Sequence, residues 1–260
     1  MKQAIKSFLQ YNFLGRRIQF SILSLSLVFA FNSCIDEELN IDPNRPSTVQ
    51  TPSLIVTAEK HLLDNIRSES ASLRSSGLFI QQLSQVTYTS PSRYDIPFSY
   101  SADVWNGLFT VANNLQEIIT LNSDPITKEL VTADGAGRNA TQIAISRILK
   151  SVAFSALTDI FGDVPYHSYG SDDPDFQALQ QNPDNITPKY APQEKIYADI
   201  LNELKQSGDT LLRYSSENTF GSSDIIYGGN NLKWAKLAQS LRLRFATRLR
   251  KKDQIGRAHV

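Results

Sequence analysis

Residues that could carry out catalysis or hold a metal ion are few in this chain of 260 residues, and they do not cluster. Cys34 is the one cysteine, which excludes a multi-cysteine zinc site. His61 and His167 have no cysteine or histidine close by in the sequence, and we interpret both as surface or capping residues. No nucleophile-elbow motif is present. We therefore predict no catalytic residue, no bound metal and no cofactor, and we do not expect an enzyme.

The aspartates that stand close together in the sequence do not make a convincing catalytic or metal site. Asp159 and Asp163 are separated by a glycine that ends the helix, so we favour a capping or turn role over a paired-carboxylate acid/base site. Asp172, Asp173 and Asp175 could ligate a hard cation, but the EF-hand spacing is absent. We interpret these three as solvated loop acids.

Residues 135–140 match the glycine pattern GxGxxA of dinucleotide-binding loops. Such a loop needs a buried strand directly before it, whereas residues 127–132 are polar and follow a proline. We interpret the segment as a turn between helices. The chain also balances 26 basic against 26 acidic residues, which argues against a nucleic-acid partner.

Aromatic side chains are dense in residues 88–106, a stretch that could bind sugar. The aromatic residues there are Tyr88, Tyr94, Phe98, Tyr100 and Trp105. Sugar rings stack their C–H faces on aromatic planes, and loop tyrosines offer rigid contact area with a polar tip. We predict ligand contacts from Tyr88, Tyr94 and Tyr100, with Arg93 and Asp95 bonding hydroxyl groups. Phe98 and Trp105 can equally be core residues, and Tyr169 and Phe176 are weaker candidates.

Helical periodicity dominates the segments that must position these residues, so we predict an all-α fold. Apolar side chains recur at helical spacing in six segments, which are residues 52–74, 78–86, 103–121, 138–161, 192–212 and 232–252. Two proline-containing loops interrupt them, at residues 90–102 and 162–191. Long loops in compact domains are often functional. Residues 223–227 are a minor strand candidate.

The N-terminal residues are typical of an exported lipoprotein. Residues 1–33 carry four basic residues and no acid, and residues 20–31 form an apolar run too short to cross a bilayer. Small residues then precede Cys34, as in a bacterial lipobox, so we predict a cleaved signal peptide and a lipidated Cys34. An acidic cluster and three prolines follow, which makes residues 34–52 a semi-rigid tether.

The C-terminal residues raise the question of whether a longer protein was cut short. Residues 255–260 can be encoded by the start of a common sequencing adapter, so we interpret them as read-through sequence. We also expect the apolar face of Trp234, Leu237, Leu241 and Phe245 to need a later helix to cover it. The predicted helical domain, residues 53–254, would then be incomplete.

Four segments in a fixed order resemble SusD/RagB-type nutrient-binding lipoproteins. Residues 139–167 are similar to the family's long alanine-rich helix that ends in Phe/Tyr-Gly-Asp-Val-Pro. Residues 105–120 resemble the preceding helix, and residues 192–213 and 227–250 the two following helices. The lipobox, the acidic cluster and Asp42-Pro43-Asn44 also fit.

The resemblance implies an all-α fold of tetratricopeptide-like hairpins and a function without chemistry. Members of this family sit on the cell surface, anchored by lipid to the outer membrane, as a lid over a SusC-type TonB-dependent transporter. They capture glycans, or in some members peptides. We therefore expect a nutrient-binding protein of polysaccharide utilisation. The alternative is a lipid-anchored helical-repeat scaffold that binds a protein partner and no small ligand.

Overall fold

Five long helices follow one another along the part of the chain that the structure describes. The computed structural model describes residues 50–180, 183 and 185–250. The long helices are α1 (Thr51–Ile66), α2 (Phe98–Ser123), α3 (Asn139–Phe161), α4 (Gln193–Arg213) and α5 (Asn231–Leu249). A π-helical segment (Glu69–Ser76) and one α-helical turn (Gly77–Phe79) separate α1 from α2. Within these described ranges there is no β-strand, as the helical periodicity predicted.

The predictions for both chain ends lie outside the described residues. They concern the signal peptide at residues 1–33, the lipidated Cys34 with most of its tether, and the tail at residues 255–260. The predicted boundaries of the incomplete domain, residues 53–254, stay predictions. None of the described helices is long and apolar enough to cross a membrane.

Each long helix packs antiparallel to the next. Asn122 near the end of α2 bonds Gln142 near the start of α3 at 3.1 Å, whereas Gln116 bonds Lys150 at 2.8 Å. Helices α3 and α4 are antiparallel as well, because the end of α3 contacts the start of α4 (Thr158 with Gln193) and the middle of α3 contacts the middle of α4 (Arg147 with Glu203). Tyr197, near the start of α4, contacts Phe245, near the end of α5. Successive antiparallel contacts make the helical hairpins that the sequence predicted.

Helix α3 lies between α2 and α4, so most of its surface is buried. Its apolar row includes Ala144 and Ile148, as the four-residue spacing predicted. The helix ends at Phe161 because Gly162 takes a φ of +78°, which a side chain would disfavour. Burial also covers polar side chains on α3, among them Arg147 and Lys150, and each of these needs a partner inside the protein.

Residues 67–97 form less regular helix than predicted. We expected helices over residues 52–74 and 78–86, but α1 ends at Ile66 and the second segment keeps only the turn Gly77–Phe79. Serine side chains bond nearby carbonyl groups here, with Ser75 Oγ 2.7 Å from the Ser70 oxygen. Such local bonds compete with the regular helical ladder, which explains the π-helical segment.

Two further boundaries were also wrong. The predicted loop at residues 90–102 contains a 3-10 turn at Pro91–Arg93, and α2 begins at Phe98 rather than near Asp103. Pro97 precedes the first helical residue with a φ of −59°, a position where the missing N–H costs nothing. Pro97, which the sequence analysis placed inside a loop, therefore directly precedes a helix.

The strand candidate at residues 223–227 is instead a turn built around Asp224. The carboxylate of Asp224 is buried and accepts four hydrogen bonds of 2.6–2.9 Å, from the backbone N–H groups of Ile226, Tyr227 and Gly229 and from Trp234 Nε1. An aspartate that collects backbone N–H groups two and three residues on is typical of a turn. The strand prediction was therefore wrong.

Glu59 of α1 reaches the same turn. Its side chain is fully buried, and Oε2 accepts the N–H of Ile225 at 2.8 Å. No donor within the described residues bonds Oε1, and the neighbouring acid is Asp224. Burial, followed by the charge of Asp224, raises the pKa of Glu59 to about 8. At neutral pH Glu59 is thus protonated, and its carboxyl group can donate to Asp224.

The apolar face of α5 is covered, contrary to expectation. Trp234, Leu241 and Phe245 are buried, and Phe245 packs edge-on against Tyr197 of α4 at 6.1 Å. The face that we expected to require a later helix faces α4, because α4 is itself strongly amphipathic and antiparallel to α5.

Candidate functional site

The aromatic stretch that the sequence singled out lies on the surface. Tyr88 is 85% exposed, Tyr94 is 61% exposed and Phe98, at the start of α2, is 86% exposed. Tyr88 and Tyr94 have left-handed backbone conformations, with φ of 56° and 64°. Residues with large side chains rarely adopt this region, and such strain occurs preferentially at functional sites.

Tyr94 is held in place from one side. Its ring stacks on Phe79 with centroids 5.6 Å apart and planes at 23°, and its hydroxyl donates to the Phe79 carbonyl at 3.3 Å. Arg93 and Asp95 beside it are exposed. The arrangement presents an oriented aromatic ring between two charged groups that can bond hydroxyl groups.

Tyr100 has a different environment from the one predicted. It lies in the first turn of α2 and not in a loop, and its side chain is half-buried. Its hydroxyl accepts a 3.5 Å hydrogen bond from Arg74, which also forms an ion pair with Glu69. Tyr100 therefore ties α2 to the π-helical segment. No stacking or hydrogen bond among the described residues joins Tyr88, Tyr94 and Tyr100 to one another.

Exposed aliphatic side chains occur in the same segment of the chain as the tyrosines, a feature that the sequence reading missed. The exposed apolar residues of this region are Leu73, Ile80, Leu83, Val86 and Ile96. Together with Tyr88, Tyr94 and Phe98 they form what we call the 73–98 surface. Monomeric proteins seldom expose so many apolar side chains in one segment unless something binds there.

Trp105 is part of the packing and not of the open surface. It contacts Phe109 at 4.8 Å, Phe161 at 5.1 Å and Tyr190 at 6.1 Å between ring centroids. Tyr190 belongs to the end of the long loop at residues 162–191. The core interpretation of Trp105 holds, and this tryptophan fastens the long loop to α2.

A buried ion pair fixes the start of the long loop. Arg147 of α3 makes a bidentate contact with Glu203 of α4, at 2.7 and 2.9 Å, and both side chains are buried. Glu203 also accepts the N–H of Gly170 at 2.9 Å and the hydroxyl of Ser168 at 3.3 Å. Sequence reasoning missed this pair because its members lie on different helices.

Two further buried groups of this region have shifted pKa values. Burial lowers the pKa of Lys150 to about 8, and its ammonium donates to Gln116 at 2.8 Å. Burial and the nearby Lys150 lower the pKa of His167 to about 4, so its imidazole is neutral at pH 7. The surface interpretation of His167 was wrong, because the ring is largely covered and its Nδ1 is buried without a partner within the described residues.

Two of the three loop acids are neutralised by lysines, whereas Asp172 is exposed, as predicted. Asp173 pairs with Lys195 at 3.0 Å, and Asp175 pairs with both Lys195 at 2.8 Å and Lys189 at 2.9 Å. Within the described ranges no group of three or more acidic, histidine or cysteine side chains could hold a metal ion. The two aspartates serve as ion-pair partners that attach the loop to α4.

Asp159 and Asp163 do not form an acid/base pair. Asp163 accepts the N–H of Gln193 at 2.9 Å, which satisfies the first turn of α4. Asp159 bonds the hydroxyl of Tyr197 and pairs with Arg248. The capping interpretation is confirmed for Asp163.

The GxGxxA segment follows a 3-10 helix, Leu130–Gly135, where a dinucleotide site would need a strand.

Solved structures with a similar fold include several SusD homologues. A chitin-binding SusD homologue from Flavobacterium johnsoniae is 21% identical, with a TM-score of 0.58, and the match covers 79% of this chain and 41% of that one. A SusD/RagB family protein from Bacteroides thetaiotaomicron is 20% identical, with a TM-score of 0.60 over 82% and 41% of the two chains. A SusD homologue from Bacteroides uniformis is 23% identical, with a TM-score of 0.55, and the match covers 78% of this chain and 39% of that one.

The chain thus spans about two-fifths of the length of the solved structures it matches. No curated protein matches it. A family model, SusD-like_2, described as "Starch-binding associating with outer membrane", matches residues 43–260. This range includes all five long helices and both loops. Since the match extends over well more than half of the sequence, the protein belongs to the SusD-like family.

Proposed function

We propose that the protein is a cell-surface lipoprotein that binds neutral oligosaccharides and delivers them to a SusC-type TonB-dependent transporter of the outer membrane. The observation that carries the proposal is the exposure of Tyr88 and Tyr94 in strained backbone on the 73–98 surface. The family description, starch binding in association with the outer membrane, supports the ligand class and the location. Binding of an oligopeptide is a variant of the same function.

The chemistry of the site suits a sugar ring. Tyr94 is fixed on Phe79, so little side-chain entropy is lost when a ligand stacks on it. Arg93 and Asp95 supply a donor and an acceptor for hydroxyl groups. Tyr100 acts here as a positioning residue, because its contact with Arg74 holds the segment against α2.

Loss of either exposed ring should weaken glycan binding by roughly ten- to thirtyfold. We expect this for Tyr88→Ala and Tyr94→Ala in calorimetric titrations of the full chain with maltoheptaose and chitohexaose. Tyr88→Phe keeps the ring and should bind nearly as well as the wild type. Ile126→Ala changes an exposed apolar residue elsewhere and should have no effect. Wild-type affinity in both alanine variants, with melting temperature unchanged, would refute this site.

A lipid-anchored scaffold for a protein partner is the second candidate, and the aliphatic part of the 73–98 surface favours it. Val86 is 95% exposed, and aliphatic side chains of this kind contact proteins more readily than sugars. Native co-purification separates the two functions. Retained carbohydrate together with a barrel transporter supports the first proposal, whereas a soluble protein partner without carbohydrate supports the second.

Replacement of Cys34 by serine should abolish lipid attachment. A serine hydroxyl cannot form the thioether to which the lipid is attached, and each buried CH₂ of an acyl chain contributes about 0.8 kcal/mol to membrane binding. Metabolic labelling with a fatty-acid analogue should therefore mark the wild type and not Cys34→Ser. Ser33→Ala, which keeps the cysteine, is the matched control and should be labelled. Undiminished label in Cys34→Ser would contradict the proposed anchor.

A further inference from the structure

The long loop lines an open cavity of about 530 Å³ that contains no residue of the 73–98 surface. Its walls include His167, Tyr169, Ser171, Asp172, Gln177 and Gln180. We propose that this cavity is a second carbohydrate subsite, which takes a neutral sugar unit of the same glycan. The inference rests on the proposed function and adds a site to it. The volume falls within the range of small-ligand pockets and suits about two sugar rings.

One wall of the cavity is rigid. The Ser168 hydroxyl and the Gly170 N–H both donate to Glu203, which the bidentate contact with Arg147 holds in turn. The backbone of Tyr169 is therefore held in place by its two neighbours, which both bond the buried carboxylate of Glu203. Preorganised walls of this kind reduce the entropy that a ligand must overcome on binding.

Tyr169 can serve as a stacking plane. The Arg147 guanidinium lies over one face of its ring, 4.7 Å from the centroid, and is itself buried. The ring is nevertheless 46% exposed and lines the cavity, so its other face is available to a ligand. A fixed tyrosine with one covered and one open face is a suitable floor for a sugar ring.

A second part of the cavity wall is also held in place. Phe176 packs edge-on against buried Tyr166 at 4.8 Å between ring centroids, and the N–H of Ala178 bonds the Tyr166 carbonyl at 3.0 Å. The Gln177 side-chain oxygen accepts from Asn185 at 3.2 Å and from the N–H of Lys189 at 3.3 Å. Hydrogen bonds thus hold both residues 168–170 and residues 177–178 of the loop, so the cavity between them has a defined shape.

The charges of the lining disfavour an anionic ligand. Lys195 neutralises Asp173, whereas Asp172 is exposed and no described residue pairs with its carboxylate. The described lining residues carry no positive charge at neutral pH, since the imidazole of His167 is uncharged there. Phosphate, sulfate and uronate groups would find no cation, while hydroxyl groups can donate to Asp172 and bond Ser171 and Gln180.

The test compares the full chain with Tyr169→Ala and Asp172→Ala in titrations with maltoheptaose and with chitohexaose. Each substitution should weaken the affinity for the bound probe by about tenfold. Tyr169→Phe keeps the ring and should stay within about twofold of the wild type. Asp209→Ala removes an exposed acid of α4 outside the cavity and should leave the affinity unchanged. Thermal melting confirms that each variant is folded.

The outcomes separate the two proposals. If Tyr94→Ala weakens binding while folded Tyr169→Ala and Asp172→Ala bind like the wild type, the second subsite is refuted and the proposed function stands. If the wild type binds neither probe, neutral glycan binding itself is refuted, and the second subsite with it. Loss of affinity in Tyr169→Ala and Asp172→Ala, with Tyr169→Phe and Asp209→Ala unaffected, supports the subsite.

Discussion

Arg147→Met should lower the free energy of unfolding by about 3–5 kcal/mol, the typical cost of breaking a buried ion pair from one side. The substitution leaves the Glu203 carboxylate inside the protein without its bidentate partner. Solvent cannot replace that partner, because both side chains are almost fully buried. The measurement is urea-induced unfolding of the full chain, followed by circular dichroism.

Two further variants show whether the lower free energy of unfolding comes from the unpaired Glu203 carboxylate. The double variant Arg147→Met, Glu203→Leu removes both charges and should recover part of the stability, because only the Ser168 hydroxyl and the Gly170 N–H then lack an acceptor. Arg138→Met breaks an exposed pair with Glu217 and should cost far less stability than Arg147→Met. If Arg147→Met costs no more than Arg138→Met, the buried pair does not hold α3 to α4 as we infer.

Glu59→Gln should make the protein more stable than the wild type at pH 8 and about equally stable at pH 5. The pKa of Glu59 is raised from 4.5 to about 8 in the folded protein, so folding favours the protonated form. Its contribution is fully present below pH 4.5 and is lost as the pH rises through about 8. Across this window the wild type loses up to about 1.4 kcal/mol per pH unit through this one group.

Glutamine reproduces the protonated acid, because its amide can donate to Asp224 while its oxygen accepts from Ile225. The quantity to measure is the difference in free energy of unfolding between Glu59→Gln and the wild type, from pH 4.5 to pH 9. His167 has a lowered pKa and acts in the opposite direction, but it cancels in this difference. Glu129→Gln, at an exposed acid, should give a flat difference. A flat difference for Glu59→Gln as well would show that Glu59 is ionised at neutral pH.

Sequence patterns predicted the helices that are regular and amphipathic. The segment predicted as residues 138–161 is α3 to within one residue, because apolar spacing marks its course and Gly162 marks its end. The same reasoning gave wrong helix boundaries in residues 67–97. There serine side chains compete for the backbone and apolar residues stay exposed, so periodicity no longer reports burial.

The candidate site was predictable only in part. Tyrosines beside prolines indicated an exposed segment, and Tyr88 and Tyr94 are exposed. The partners of Tyr100 and Tyr94 could not be foreseen, because Arg74 and Phe79 are distant in the sequence and no pattern relates them. The cavity of the long loop depends on Glu203, which lies 35 residues after Ser168. Contacts at such distances follow from how helices pack and not from local spacing.

The bond between Glu59 and the N–H of Ile225 spans 166 residues, which orders the events of folding in time. A ribosome adds about 5–20 residues per second, so the residues of α1 are synthesised roughly 10–30 s before those of the turn that Glu59 contacts. During that interval Glu59 is hydrated and ionised, and α1 can pack only on the helices already synthesised. Glu59 takes up its proton only after Ile225 and its turn have been made and have met α1. The exported lipoprotein that we propose would have to stay unfolded until it has crossed the inner membrane, and a fold that completes late suits that requirement.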